Sequence, residues 1–328
     1  MFKVICYTTM VILQEERRIF LQVVFTNVLI LFMLLFLGYL IGIKKIVAHS
    51  SINDLTNLVV DVSMPCTIAL SMVRPFDARL LADAIKVMVA VLIFQLFLSG
   101  LAYYAAKILK VDPKKSGSWI FSLVFSNNAF VGYPLMYALY GNDGLFLMAM
   151  GNIVQNVLIF SLGIKLITLN YNLRDRIRLR HIIFTKQNIA VVVGMFIFFL
   201  QIPVPKPVLT LVTYVANLTV PLSMMVVGMS LSRYDVSKMF TDKEAYRLTI
   251  IRMVLLSLVM VAIFKGLGIQ ANQNLPLAIL FFTAALPAPA FTTIMAERYN
   301  TSIEFSSKCV FLTTIISILT VPILASLL

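Results

Sequence analysis

The sequence is poor in the residues that carry most enzymatic and metal chemistry. Of 328 residues, three are cysteine, two are histidine and one is tryptophan. Cys6, Cys66 and Cys309 are scattered and odd in number, with no CxxC pair and no histidine at ligand spacing. Neither a disulfide framework nor a metal site is expected from them. His49 and His181 fall in polar breaks without a partner pattern for catalysis. HExxH, GxSxG and phosphate-loop motifs are missing, and no nucleophile, acid pair or metal set converges, so neither an enzyme nor a cofactor is expected. Charge is scarce as well. Asp, Glu, Lys and Arg make up 12% of the chain against 60% hydrophobic residues, with a mean hydropathy of +0.96. Soluble proteins are about half apolar and a quarter charged, so water cannot solvate this chain.

What the sequence has is apolar length. A helix needs about 20 mainly apolar residues to cross a bilayer. Such stretches recur at 20–43, 55–73, 84–108, 117–140, 144–168, 188–202, 208–231, 246–267, 274–296 and 305–327. The runs are continuous and do not alternate with polar residues, which excludes an outer-membrane β-barrel. The expected fold is therefore all-α and membrane-embedded, with about ten spans. The net charge of +13 arises from basic residues placed between spans, where they answer topology, so nucleic acid is not an expected partner. Placing the N-terminus outside puts 19 of the 27 Lys and Arg on the cytoplasmic side, Arg252 among them as a loop residue after span seven. Both termini are then extracytoplasmic, and the basic face is expected to attract anionic lipids. Residues 1–19 read as a polar-ended leader, 20–168 as a first five-helix repeat, 169–187 as a basic cytoplasmic loop and 188–328 as a second repeat.

The halves share their irregularities. Asp61-Val-Ser-Met-Pro65-Cys-Thr67 matches Asn217-Leu-Thr-Val-Pro221-Leu-Ser223, and Ala138–Asn142 matches Ala296–Asn300, at offsets of 156 and 158 residues. Because each half has an odd number of spans, the two repeats are inverted in the membrane. Pro65 and Pro221 mark helix breaks in spans two and seven. Span four carries Asn127, Asn128, Gly132 and Pro134 near its middle, and span nine carries Pro287 and Pro289 at the corresponding depth. Paired interruptions of this kind point to a midplane crossover whose half-helix N-termini suit an anion. Asn152, Gln155 and Asn156 share one face of span five and either line that cavity or hold helices together at about 0.6 kcal/mol per contact. Asp61, with Asn217 as its counterpart, is the acid deepest inside a span, suited to a proton or cation or else to capping a broken helix. Asp83 and Lys86 are one helical turn apart, as an interfacial ion pair or a coupling pair. Tyr133, Tyr137 and Tyr140 form a helical stripe that packs or covers a substrate.

At the two crossover segments the sequence resembles the auxin efflux carrier family, which includes plant PIN-FORMED carriers and bacterial organic-acid permeases. The matching residues are Asn127, Gly132, Pro134, Leu135, Tyr140 and Gly141, then Ala284, Ala285, Leu286, Pro287, Ala296, Tyr299 and Asn300. The resemblance implies a scaffold of spans one, two, six and seven, and a transport domain of three to five with eight to ten that moves like an elevator. It implies substrate contacts at Asn127 and Gln155, and a homodimer formed through the scaffold. Asp83 and Lys86 resemble an acid–lysine pair of the plant carriers with one residue less between them. The plant members' long central loop has no counterpart here, which favours a compact bacterial-type carrier. The expected function is a secondary transporter of a small organic anion, such as malate or malonate, in the cell membrane. A ligand-binding membrane receptor and an anion channel are the alternatives, and coupling to H+ or Na+ stays open.

Overall fold

A computed structural model describes residues 26, 29–48, 50–171, 186–233, 236–266, 268 and 274–327. The leader 1–19, Cys6, His49, His181 and the run Arg174–Arg180 lie outside the described residues. Among those described, no strand occurs and nearly every apolar run is helical. The helices are α1 (Leu29–Ile43), α2 (Ser51–Met72), α3 (Ala78–Ile108), α4 (Pro113–Val124), α5 (Tyr133–Leu158), α6 (Lys186–Leu200), α7 (Lys206–Leu231), α8 (Lys243–Gly266), α9 (Leu275–Ala285), α10 (Phe291–Arg298) and α11 (Ile303–Leu327). Six described stretches are long and apolar enough to cross a membrane, with α1, α6 and α9 as shorter apolar helices. One stretch, Pro113–Ile167, has 55 residues. At 1.5 Å per residue that would be about 80 Å, far beyond a bilayer, so it must fold back. The reversal is at Gly141, whose φ of 60° and ψ of −146° leave helical space. A β-carbon on Gly144 would strike the carbonyl of Met136, eight residues earlier, which only a reversed chain permits. The expected fourth and fifth spans are the two sides of this turn.

The outer surface is apolar. Along α3, Ile85, Val89, Ile93, Phe97, Tyr104 and Ile108 form an exposed stripe, while Ala84, Val87, Val91, Leu98 and Ala102 are buried behind it. A helix apolar on both faces with one face uncovered is a lipid-facing helix. The described part of the protein is thus a multi-pass membrane protein.

Packing divides the helices into two groups. α2 packs along α6 and crosses α7. Gln187 Nε2 donates to Val60 O at 2.7 Å and Gln201 Nε2 to Arg74 O at 3.4 Å, so α2 and α6 run parallel. At the α2–α7 crossing, Thr67 Oγ1 and Thr219 Oγ1 share a hydrogen bond of 2.6 Å, and Thr67 also donates to Ala216 O at 3.1 Å. α1 lies so close to α7 that a β-carbon on Gly38 would strike Met225 O, and one on Gly228 would strike Leu35 O. In the other group, α3 packs on α4, α5 and α9, while α11 packs on α4, α8 and α10. The α4 and α8 entrances are tied by Lys115 Nζ and Asp242 Oδ2 at 2.7 Å, and Asp242 also caps α8 through Glu244 N.

The prolines act differently from the sequence expectation. Pro65 and Pro134 sit at the first turns of helices that resume after wide π-helical turns, Val59–Ser63 and Asn128–Gly132. Neither marks a point where the backbone leaves helical space. A proline removes an N–H and crowds the carbonyl four residues earlier, and a widened turn absorbs both effects. Pro221 likewise lies inside a continuing helix, three residues after a tightened turn in which Leu218 N donates to Val215 O.

Two predictions follow from this packing. Gly228→Ala places its methyl against rigid backbone and should cost about 1–3 kcal/mol. Gly100→Ala, which meets nothing within 4 Å, should be neutral or slightly stabilising. Thermal unfolding of the two purified variants in detergent compares them directly. The second concerns acid. Burial raises the Asp242 carboxyl, but the Lys115 hydrogen bond and charge and the backbone N–H groups of Glu244 and Ala245 more than offset it, leaving it below its usual value. The stability it contributes is present above the unfolded pKa and is lost as pH falls through the lowered folded one. Asp242→Asn should therefore unfold with a shallower acid limb below about pH 4, measured as melting temperature against pH.

Candidate functional site

Two helices lose regular backbone at one place. α4 stops at Val124; Phe125 is extended at φ −96° and ψ 149°, and Asn127 lies at φ −79° and ψ 61° before helical turns resume at Asn128. α9 stops at Ala285; Leu286 is extended at φ −71° and ψ 152°, and α10 begins at Phe291. The second break follows from the residue type, because a residue preceding proline is pushed out of the helical region, and Leu286 precedes Pro287. The first break contains no proline. The segments cross in contact: Asn127 N donates to Pro287 O at 3.0 Å, and Ser126 Oγ donates to Thr283 O.

Four neighbouring helices each send a side chain to the breaks. From α5, Gln155 accepts from Ser126 N at 3.3 Å and donates to Ser126 O at 2.9 Å, replacing the partners that a helix would have supplied. From α3, Gln95 Nε2 donates to Gln155 Oε1 at 2.7 Å. From α11, Thr313 Oγ1 accepts from Ala288 N at 3.1 Å. From α8, Arg252 reaches both breaks. Its Nε donates to Leu286 O at 3.0 Å, Nη1 to Ser122 O at 2.9 Å and to Leu123 O, and Nη2 to Ser126 Oγ at 3.0 Å and Pro287 O at 3.4 Å. Arg252 is fully buried and, among the described residues, has no carboxylate partner. It is not a loop residue, as the charge count supposed. It sits in a π-helical turn of α8, Ile251–Leu256, which rotates the side chain into the protein.

The structure gathers some of the expected residues here and leaves others apart. Asn127 (4% exposed) and Asn128 (1%) open the resumed helix, Asn127 capping it through Oδ1 to Phe130 N at 3.4 Å. Asn128 Oδ1 is buried without a partner, as are Thr292 Oγ1 and Thr293 Oγ1 in the first turn of α10. Gly132 is closely approached, a β-carbon there meeting the flexible ends of the Met148 and Leu286 side chains, which a small shift would relieve. Pro134, Pro287 and Pro289 are buried around the crossing. Asn152 donates to Tyr133 Oη at 2.8 Å and accepts from Gln155 at 3.5 Å, whereas Asn156 is partly exposed on the same helix. Of the tyrosine stripe, Tyr133 and the Tyr140 hydroxyl are buried and Tyr137 is exposed. Asp61 is away from the crossing, paired with Lys186 at 2.7 Å, both side chains substantially exposed. Asn217 is exposed. Asp83 and Lys86 pair at 2.8 Å on an exposed face of α3. Gln95, Ser126, Arg252, Thr292, Thr293 and Thr313 were not singled out from sequence. Signals existed for Arg252, a single charge among Ile250, Ile251, Met253 and Val254, and for Gln95, a single polar side chain among Ile93, Phe94, Leu96 and Phe97.

Removing the Gln155 amide would strand buried backbone groups, which costs about 1–3 kcal/mol each. Gln155→Ala should thus lower the melting temperature more than Thr313→Val, which strands one group; the reverse order would show that Gln155 does not hold the α4 break.

A family model described as membrane transport protein matches residues 23–174 and 173–325. The chain is 24% identical over 304 residues, 90% of its length and 96% of theirs, to the uncharacterized transporter MJ1031 of Methanocaldococcus jannaschii. It is likewise 24% identical over 301 residues, with the same coverage, to an uncharacterized transporter of Methanothermobacter thermautotrophicus.

Proposed function

The chain belongs to the auxin efflux carrier family of membrane transport proteins, and we propose on that premise that it is a secondary transporter of a small organic anion. The observation that carries this reading is the buried crossing of two broken helices, joined by the Asn127–Pro287 backbone hydrogen bond. Helix N-termini carry partial positive charge, and two helices resume at this point. Asn128 Oδ1, Thr292 Oγ1 and Thr293 Oγ1, buried and unpaired in the first turns of those helices, are polar atoms in want of partners. Thr292 and Thr293 hydroxyls donate to a carboxylate, whereas Asn128 Oδ1 only accepts and takes a donor such as a substrate hydroxyl or a protonated carboxyl. A carboxylate such as malate or malonate fits this combination. Asn127, Asn128, Gly132, Pro134, Asn152, Gln155, Asn156, Pro287 and Pro289 are the proposed substrate region, with Gln155 acting through Ser126.

The architecture proposed with it is ten spans in two inverted five-helix repeats, termini extracytoplasmic, with α1, α2, α6 and α7 as scaffold and the remaining helices as an elevator-type transport domain. The division of packing into those same groups supports it. So does a small, mainly apolar cavity between them, lined by Leu31 and Leu35 of α1, Met224 of α7, Val131 and Leu135, and Thr314 and Ser317 of α11. Dimerisation through the scaffold and contact with anionic lipids belong to the same proposal, as does the open choice of H+, Na+ or voltage as driving force.

The test is uptake of radiolabelled carboxylates into proteoliposomes under imposed pH, sodium and voltage gradients. Saturable uptake of one acid, reduced at least tenfold by Asn127→Ala in protein that remains folded, is the expected result. Binding without uptake would replace the carrier with a receptor, and non-saturable flux would replace it with a channel.

A further inference from the structure

Arginine has five N–H donors in a planar fork and no acceptor. All five donors of Arg252 are committed: one to Leu286 O, two to Ser122 O and Leu123 O, and two to Ser126 Oγ and Pro287 O. None is left to grip a substrate carboxylate. The acceptors have a common origin. Ser122 and Leu123 are in the last turn of α4, Leu286 is the residue capping α9, and Pro287 follows it. Carbonyls at a helix C-terminus point outward unpaired and carry roughly −0.5 of an elementary charge per helix. Two such ends meeting inside the protein therefore sum to about −1, which one guanidinium neutralises. In transporters built on broken helices, unwound carbonyls and half-helix C-termini are where a coupling cation is coordinated.

We propose that the carbonyl cluster formed by Ser122, Leu123, Leu286 and Pro287 with the Ser126 hydroxyl is a cation-binding site that Arg252 occupies as a tethered, resident cation. The assignment rests on the carrier reading for its transport consequence and on geometry alone for the site. With the site filled from within, transport needs no small cation at the crossover. Arg252 acts as a positioning residue: it holds both breaks open in their crossed form and leaves the positive ends of the resumed helices unopposed for the anion. Emptying the side chain should turn an ion-independent protein into one that binds and requires a small cation. Guanidinium is the best replacement, since it reproduces the fork.

Two measurements test the site and its consequence separately. In the first, wild type and Arg252→Ala are titrated with guanidinium, sodium or choline chloride up to about 50 mM at constant ionic strength, and thermal unfolding is followed in detergent. Saturable stabilisation of Arg252→Ala by guanidinium, absent in wild type and with choline, is expected, because a ligand that binds only the folded state raises its stability by mass action. Absence of any cation effect specific to Arg252→Ala overturns the proposal. If Arg252→Ala cannot be purified even with guanidinium present, Arg252→Lys decides. Lys has three donors for five acceptors, so a melting temperature equal to wild type overturns the proposal and a clear drop supports it. In the second, carboxylate uptake is measured with sodium, potassium or choline as the sole monovalent cation. Equal wild-type rates support the proposal. Uptake that needs sodium or potassium overturns it while leaving the carrier intact, and absence of uptake with every acid overturns the carrier reading but not the site, which the titration judges alone.

Discussion

A backbone that leaves helical geometry inside an apolar environment must still pair every N–H and C=O, because no water is there to take them. Two segments of this protein do so at one point, and the arrangement of four surrounding helices follows. Gln95 on α3, Gln155 on α5, Arg252 on α8 and Thr313 on α11 each reach a break or the side chain that holds it. Those four helices stand around α4, α9 and α10, and their polar side chains, with the Asn127–Pro287 and Ser126–Thr283 bonds between the breaks, replace lost helical bonds. Remove that requirement and nothing in the apolar packing alone would select this order of neighbours, since Val, Ile, Leu and Phe surfaces pack adaptably.

The supporting residues fall at related intervals. Gln95 and Arg252 are separated by 157 residues, and Gln155 and Thr313 by 158, beside 156 for Pro65 and Pro221. Residues at equivalent places thus serve equivalent breaks, which is the pattern an ancestral duplication would leave. The chemistry has diverged. The α4 break is held by a neutral relay from Gln95 through Gln155 to Ser126. The α9 break is held by one hydroxyl and a guanidinium long enough to serve both. Both resumed helices also end alike, in a Tyr followed by a left-handed residue: Tyr140 with Gly141 at φ 60°, Tyr299 with Asn300 at φ 48°. Glycine and asparagine are the residues that tolerate that region.

Much of this was legible in sequence, for reasons that differ residue by residue. Apolar run length located the described helices, because a bilayer sets that length. The α9 break was legible because Pro287 dictates the conformation of Leu286. Pro65 and Pro134 looked similar but lie at the start of resumed helices, where their missing N–H is absorbed by a π-helical turn. The α4 break was marked in sequence by Asn127 and Asn128 with Gly132 and Pro134 downstream, but not its placement at Phe125–Asn127, which residues distant in sequence, Gln155, Pro287 and Arg252, hold. Arg252 lies inside the 246–267 run, near its start, and was counted with the loop charges by a rule that is sound on average: charges near the ends of hydrophobic runs belong to loops. It fails where tertiary structure supplies a polar cage, and the charge then becomes informative. Asp61, isolated in its span by sequence, found Lys186 at the start of α6, a partner that sequence separation concealed.

The bonding at the crossover also constrains how the protein can move. Arg252 joins α8 to the ends of both broken helices, and Asn127 joins the breaks to each other. Separating buried partners of this kind costs about 1–3 kcal/mol for each group stranded, so α4, α8, α9 and the resumed helices must travel together or not at all. In the other group, α1 and α7 approach so closely at Gly38 and Gly228 that no side chain fits between their backbones. Between the groups the contacts are fewer and, apart from the Arg74–Asp143 ion pair, mainly apolar, with a small cavity where α1 and α7 face α5 and α11. Apolar contact has no direction and re-forms after a shift, whereas the crossover bonds do not. The surface along which displacement strands the fewest polar groups is therefore the one between the groups, where the bonds at the crossover are left intact.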